Sequence, residues 1–135
     1  MEVLRSETLT VRSSEDVVIV RTSVRKVAAE LRFGIVDQTK VVTAASEIAR
    51  NTIDYGHGGT LQIDVVNNGL KRGLRLTFAD RGPGIRDVEQ AMTDGFTSGS
   101  GMGLGLGGTR RLMDEFNIAS KLNEGTTVTV TKWSR

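Results

Sequence analysis

Two stretches of this chain read as hairpins. Thr60–Val66 and Gly73–Ala79 flank the turn Asn67-Asn68-Gly69, and Asn117–Leu122 and Thr126–Trp133 flank Asn123-Glu124-Gly125. Connections this short reverse the chain, so each pair is antiparallel; parallel neighbours need a crossover of about a dozen residues or more. This argues against a doubly wound parallel sheet, which is built from βαβ units. The remaining elements follow from periodicity. Glu7–Arg12 alternates and reads as a strand. Ser13 and Asp16 are spaced as a capping pair, and Val17, Val20, Val24, Val27, Ala28 and Leu31 then keep helical spacing until Gly34. Asp37 opens a second helix with the stripe Val41, Val42, Ala45, Ile48, Ala49 and Ile53, ended by Gly56. Asp87–Met92 is a possible short helix, Thr93–Gly103 a loop, and Leu104–Phe116 a further helix. The expected fold is an α/β (α+β) two-layer sandwich: a mixed, mostly antiparallel sheet with helices on one face, formed by residues 1–135 as a single domain.

Composition narrows the function. There is no Cys and one His, which excludes disulfides, thiol chemistry and multi-His metal sites. No apolar run approaches the roughly 20 residues of a membrane span, and Met1–Thr10 has no apolar stretch of the signal-peptide kind. The expectation is a cytoplasmic protein without membrane contact. Net charge is only +2, and aromatics are 4%, too few for stacking on single strands. Nucleic acid is therefore not the expected partner, although Lys71, Arg72 and Arg75 form a short basic cluster that suits either a solvated hairpin tip or an acidic partner.

Three features can carry chemistry. Seven of the 14 residues from Gly95 to Gly108 are glycine, and the run leads into a helix. Glycines let a phosphate approach the backbone, and a helix start offers unpaired N–H groups; a flexible surface loop is the plain alternative. The run is not a P-loop, because Thr109 follows Gly108 where Lys-Ser/Thr is needed, and it lacks the preceding strand of a dinucleotide fingerprint. Asp80-Arg-Gly82-Pro83-Gly84 places a carboxylate at a strand end before a rigid turn, suited to accept from a ligand amine or to be an ordinary Asp-Gly turn. Glu47 and Asn51 share a helix face. They suit a general base and an oxygen ligand for a hard cation, or a solvated polar face. His57, among Gly56, Gly58 and Gly59, has no triad partners, and Trp133 reads as a core or edge anchor.

Taken together, Glu47-x-x-x-Asn51, Asp80-x-Gly82-x-Gly84, Gly101-x-Gly103-x-Gly105 and Gly125-Thr126 occur in an order and spacing that resembles the ATP-binding boxes of the GHKL superfamily. The resemblance covers about residues 40–132 and implies the Bergerat ATP-binding fold. Gyrase, chaperone and mismatch-repair members carry further domains, and histidine kinases a phosphoacceptor helix, which these 135 residues lack. Ser46-Glu47-Ile-Ala-Arg50-Asn51-Thr52, Gly103–Gly107 and Arg110–Phe116 look most like the switch serine/threonine kinases of the bacterial stressosome. The resemblance implies ATP and Mg²⁺ as cofactors. It gives Asp80 the adenine amine, with Thr126 in support through water, and has Gly82 and Gly84 shape the adenine pocket. It makes Asn51 the Mg²⁺ ligand and Glu47 the base that deprotonates the acceptor hydroxyl. The backbone of Gly101, Gly103, Gly105 and Gly107 would hold the phosphates. It further implies STAS-domain substrate or scaffold proteins and a PP2C-type phosphatase as partners, and leaves the oligomeric state open.

One departure stands out. Related anti-sigma kinases carry an Arg just before the second glycine box, where this chain has Ser98-Gly99-Ser100. Arg50 and Arg110 are the substitutes to consider, or else Mg²⁺ and backbone amides alone meet the charge. Two rivals stay open: an anti-sigma-factor serine kinase that binds a sigma factor, and a nucleotide-gated binding module with negligible catalysis. A basic nucleic-acid binder is a third and weaker one.

Overall fold

The computed structural model describes residues 1–84 and 106–135. Among them are five strands and three helices: β1 (Glu2–Val11), α1 (Ser14–Glu30), α2 (Ile35–Asp54), β2 (Gly59–Asn67), β3 (Arg72–Asp80), α3 (Leu106–Leu112), β4 (Glu115–Lys121) and β5 (Gly125–Trp133). The strands form one sheet in the order β1-β2-β3-β5-β4, and every pairing is antiparallel. β3 and β4 therefore run the same way with β5 between them. The expected short helix at Asp87–Met92 and loop at Thr93–Gly103 lie outside the described residues.

One sheet face is apolar and covered by α1 and α2. Leu61, Ile63 and Val65 on β2 and Leu74, Leu76 and Phe78 on β3 sit in register, with Val128 and Val130 beside them on β5. They meet Val20, Val24 and Val27 from α1 and Val41, Ala45 and Ile48 from α2, all buried. Strand alternation sends Thr60, Thr77, Thr127 and Thr129 to the opposite face. No helix of the described residues is long and apolar enough to cross a membrane.

Element ends show where pattern reading fails. Ser13 caps α1 as expected, in a full capping box with Asp16. The helix ends at Glu30, however, before Gly34. Phe33 N–H bonds Ala28 O at 3.0 Å and Arg32 N–H bonds Ala29 O at 2.9 Å, with Arg32 at φ 62°. This is a Schellman end with Arg at the position glycine usually takes. Gly34 instead caps α2, which starts at Ile35, two residues before Asp37. The expected helix over Leu104–Phe116 also stops early, at Leu112. Asp114 N–H bonds Thr131 O at 3.0 Å and turns the chain into β4, where Phe116 and Ile118 alternate against the core. A spacing of three between Met113 and Phe116 fits a helix, but the sheet edge captures the chain first. β1 begins at Glu2 rather than Glu7, because ladder bonds to β2 hold a segment whose side chains are exposed.

On the helix-free face, Asp64 is 1% exposed. Burial raises its pKa, but hydrogen bonds from Ser6, Gln62 and Arg75 and the Arg75 charge outweigh this, and the net shift is downward. A carboxyl lowered by folding stabilises the fold above its unfolded pKa and loses that contribution as pH falls through the folded value. Acid titration of unfolding free energy should thus show stability declining below the ordinary aspartate value of 3.8. Asp64→Asn should flatten that slope while lowering stability at neutral pH.

Candidate functional site

The site is built where α2 ends, β3 ends and β5 begins. Asp80 is the last residue of β3. Its Oδ1 accepts from Gly82 N–H at 2.9 Å and Thr126 N–H at 3.2 Å. Its Oδ2 accepts no hydrogen bond among the described residues. One oxygen is fixed by two backbone donors, and the other is left to act as an acceptor in a set direction.

Glycines make this packing possible. A Cβ on Gly56 would lie 2.5 Å from Asp80 Oδ2, and one on Gly82 would lie 2.7 Å from Gly56 Cα. A Cβ on Gly125, at φ 109°, would overlap the carbonyl of Asp80. Gly84 has φ 79° and lies against the carbonyl of Lys121, while Pro83 O accepts from Asn123 N–H at 2.8 Å. The loop after Asp80 is thereby tied to the β4–β5 turn. Thr126 touches Asp80 directly through its amide, and its hydroxyl pairs with Ser120 Oγ at 2.8 Å.

Glu47 and Asn51 lie on α2, Glu47 exposed and Asn51 half-buried. The Asn51 carbonyl accepts from Tyr55 N–H at 2.9 Å and Gly56 N–H at 3.3 Å, and Gly56 is the residue packed against Asp80. Asn51 and Asp80 thus reach the same end of the molecule, and Glu47 stands about 6 Å further along the helix axis. Gly107 is buried in the first turn of α3, which packs on α2. Gly101, Gly103 and Gly105 lie outside the described residues. Arg50 is exposed, with Nη1 3.5 Å from Ser14 Oγ, and Arg110 is exposed on α3. His57 is exposed at φ 62° in the turn that leaves α2. Trp133 anchors the sheet end, its Nε1 donating to Glu115 Oε2 at 2.5 Å.

Sequence reading missed the packing role of Gly56, taken only as a helix end, and of Gly59, named only as a neighbour of His57. A Cβ on Gly59 would strike the carbonyl of Ala79 and come within 3.0 Å of Thr52 Cγ2. Their clustering as Gly56-His57-Gly58-Gly59 was the available signal. It also missed Lys132, which is 3% exposed, donates to Leu112 O at 3.0 Å and lies 3.8 Å from Asp37 and 3.6 Å from Asp114. A lysine at an apolar position of β5 carries no mark of burial in sequence.

The family of histidine kinase-, DNA gyrase B- and HSP90-like ATPases matches residues 36–134. The chain belongs to that family, as the GHKL resemblance implied. Among its relatives is the serine/threonine-protein kinase RsbT of Bacillus subtilis (strain 168), 46% identical over 89% of this chain and 90% of that protein. By family and by this likeness the chain is an enzyme of the protein serine/threonine kinase class. An anti-sigma F factor of Anoxybacillus flavithermus is 36% identical over 83% of this chain and 80% of its own length. Of solved structures, the RsbU and RsbW domains of a Mycobacterium tuberculosis protein share the fold, with a TM-score of 0.68 at 22% identity. That match covers 97% of this chain and 33% of the other.

Gly56→Ala tests the packing. The new methyl must displace the Asp80 carboxylate, so the variant should lower thermal stability. It should also raise the hydrogen-exchange rate of the Thr126 amide at least several-fold, while amides at the centre of β2 stay protected.

Proposed function

We propose that the chain is an ATP- and Mg²⁺-dependent kinase of bacterial stress signalling that phosphorylates serine or threonine on STAS-domain proteins. Once released from them, it activates a PP2C-type phosphatase. The observation that carries the nucleotide half of this reading is Asp80, with Oδ1 pinned by two amides and Oδ2 facing a wall that admits only glycine. Such an acceptor fits the exocyclic amine of adenine. The partner half rests on the likeness to the switch kinase and the anti-sigma factor.

When bound, Mg-ATP supplies the phosphoryl group and part of the charge that neutralises its transfer. The chain's own residues then have distinct tasks. Asp80 orients the base, and Gly82 and Gly84 keep its pocket open. Thr126 holds Asp80 through its amide. Asn51 offers a side-chain carbonyl to the metal, and Glu47 takes the proton of the attacking hydroxyl. Backbone amides of Gly101, Gly103, Gly105 and Gly107 receive the phosphates. Positioning and charge neutralisation dominate such transfers. Glu47 is exposed, so it must be reached by the acceptor protein rather than by a small substrate sealed in a cavity.

The anti-sigma reading is kept because of the relative at 36% identity. Stable complex formation with a purified sigma factor in the presence of ATP would favour it over the switch-kinase reading.

Asp80→Asn should keep both backbone bonds through its carbonyl oxygen but turn an NH₂ donor toward the incoming amine. ATP affinity, measured by calorimetry, should fall by about 10–100-fold, or about 1.4–2.8 kcal/mol, and unchanged affinity refutes the adenine role. For the transfer step, γ-labelled ATP, Mg²⁺ and a STAS-domain protein from the same genome should yield acid-stable label on the acceptor. Glu47→Ala should slow labelling by about 10²–10⁴-fold with ATP affinity retained. Acid-labile label would indicate histidine chemistry and overturn the proposal.

A further inference from the structure

At the end of the sheet remote from Asp80, the β2–β3 turn, the α1–α2 connection and the last residues of the chain enclose a hollow of about 430 Å³. Its walls include Leu31, Arg32, Leu70, Lys71, Arg72 and Arg135. Arg135 is engaged by Asp37 at 3.3 Å and Asp114 at 3.4 Å, and Glu30 at the rim by Arg5 at 2.8 Å. Arg32, Lys71 and Arg72 have no carboxylate partner among the described residues. Three cations from two separate segments therefore converge uncompensated, on a chain whose net charge is only +2.

Two features say that this is more than a solvated tip. Leu70 is 93% exposed, the most exposed large apolar residue among those described. It does not sit on a loose loop. Asn67 Oδ1 accepts from Gly69 N–H at 2.9 Å, and Asn68 Oδ1 accepts from Leu70 N–H at 2.9 Å and Lys71 N–H at 2.8 Å. Side chains thus brace the backbone that displays Leu70, and a preorganised apolar anchor loses little freedom on binding. The second feature is Arg32. Its left-handed position ends α1 and would suit glycine at lower conformational cost. The chain places a cation there instead, and that side chain lines the hollow.

We infer that this cup is a docking site for an acidic segment of a protein partner, one that sets carboxylates on Arg32, Lys71 and Arg72 and an apolar side chain against Leu70 and Leu31. The apolar anchor and the small number of free cations favour protein over nucleic acid, whose backbone would use a longer cationic track. β2 and β3 separate the cup from the Asp80 end by about 27 Å. A partner held here leaves the nucleotide site open, so docking and phosphoryl transfer use different surfaces. The inference does not rest on the kinase reading and is tested without nucleotide.

The probe is a fluorescein-labelled synthetic peptide of glutamates carrying two leucines, titrated into the full chain at low salt and followed by anisotropy and amide chemical shifts. Saturable binding is expected, with shifts confined to residues around 30–32, 68–73 and 134–135, and weakening as salt rises. The double variant Leu70→Asp, Arg72→Glu should lose at least ~10-fold in affinity, as removal of both anchor and charge requires. Arg32→Gly should weaken binding ~3-fold or more while keeping or raising Tm, since glycine relieves the left-handed position; it serves where the double variant fails to fold. Absence of binding, shifts elsewhere, equal binding of the peptide with lysine for glutamate, or affinity unmoved by these variants would overturn the inference. So would tighter binding of duplex DNA or of anionic phosphatidylserine vesicles through the same residues.

Discussion

The carboxylate of Asp80 is where three elements meet, and the site depends on how it is held. It lies at the end of β3, accepts from the Gly82 amide in the following turn and the Thr126 amide near the start of β5, and rests against the glycine that closes α2. Each contact is a backbone contact. A Cβ at Gly56 would strike the carboxylate itself, one at Gly82 the Gly56 backbone and one at Gly125 the Asp80 main-chain carbonyl, so all three are glycine for lack of space. A carboxylate with one oxygen satisfied by backbone and the other without a hydrogen-bond donor among the described residues is a fixed acceptor, which suits a ligand with a donor at one position.

The sheet supplies the stiffness behind that site. Its helix-covered face is a continuous apolar layer across β2, β3 and β5. The buried Lys132 ties the start of α2, the end of α3 and β5 through Leu112, Asp37 and Asp114. Because α2 is clamped at its beginning by this network and at its end by the Gly56 contact, Glu47 and Asn51 are carried on a rod fixed at both ends. The opposite pole of the sheet is organised by different means, with asparagine side chains bracing a turn that exposes Leu70 beside free cations. A chain this small thus offers chemically distinct surfaces at its two poles.

Much of this was legible in sequence because it depends on local periodicity and turn chemistry. The hairpins, the capping box at Ser13 and Asp16, the strand-end position of Asp80 and the shared helix face of Glu47 and Asn51 all follow from neighbours within a few residues. The ordered boxes led to the ATPase family that residues 36–134 match. Element ends were less legible. Gly34 reads as a stop for α1 but starts α2, because the Schellman bonds of Arg32 and Phe33 had already ended the first helix. Phe116 keeps helical spacing with Met113, yet ladder bonds to β5 draw it into β4.

The sequence by itself determined the antiparallel hairpins, the sandwich class and the set of polar and glycine residues available for chemistry, since these depend on short-range steric and hydrogen-bonding rules. Only the tertiary structure decided that β5 inserts between β3 and β4, that Thr126 reaches Asp80 by its amide, and that Gly56 is a packing residue of the site. It also decided that Lys132 is buried and that Arg32 joins Lys71 and Arg72 at one cup. Each of these depends on segments dozens of residues apart being brought within contact distance. The energy that selects such contacts comes from burying the whole core at once, and no local pattern encodes it.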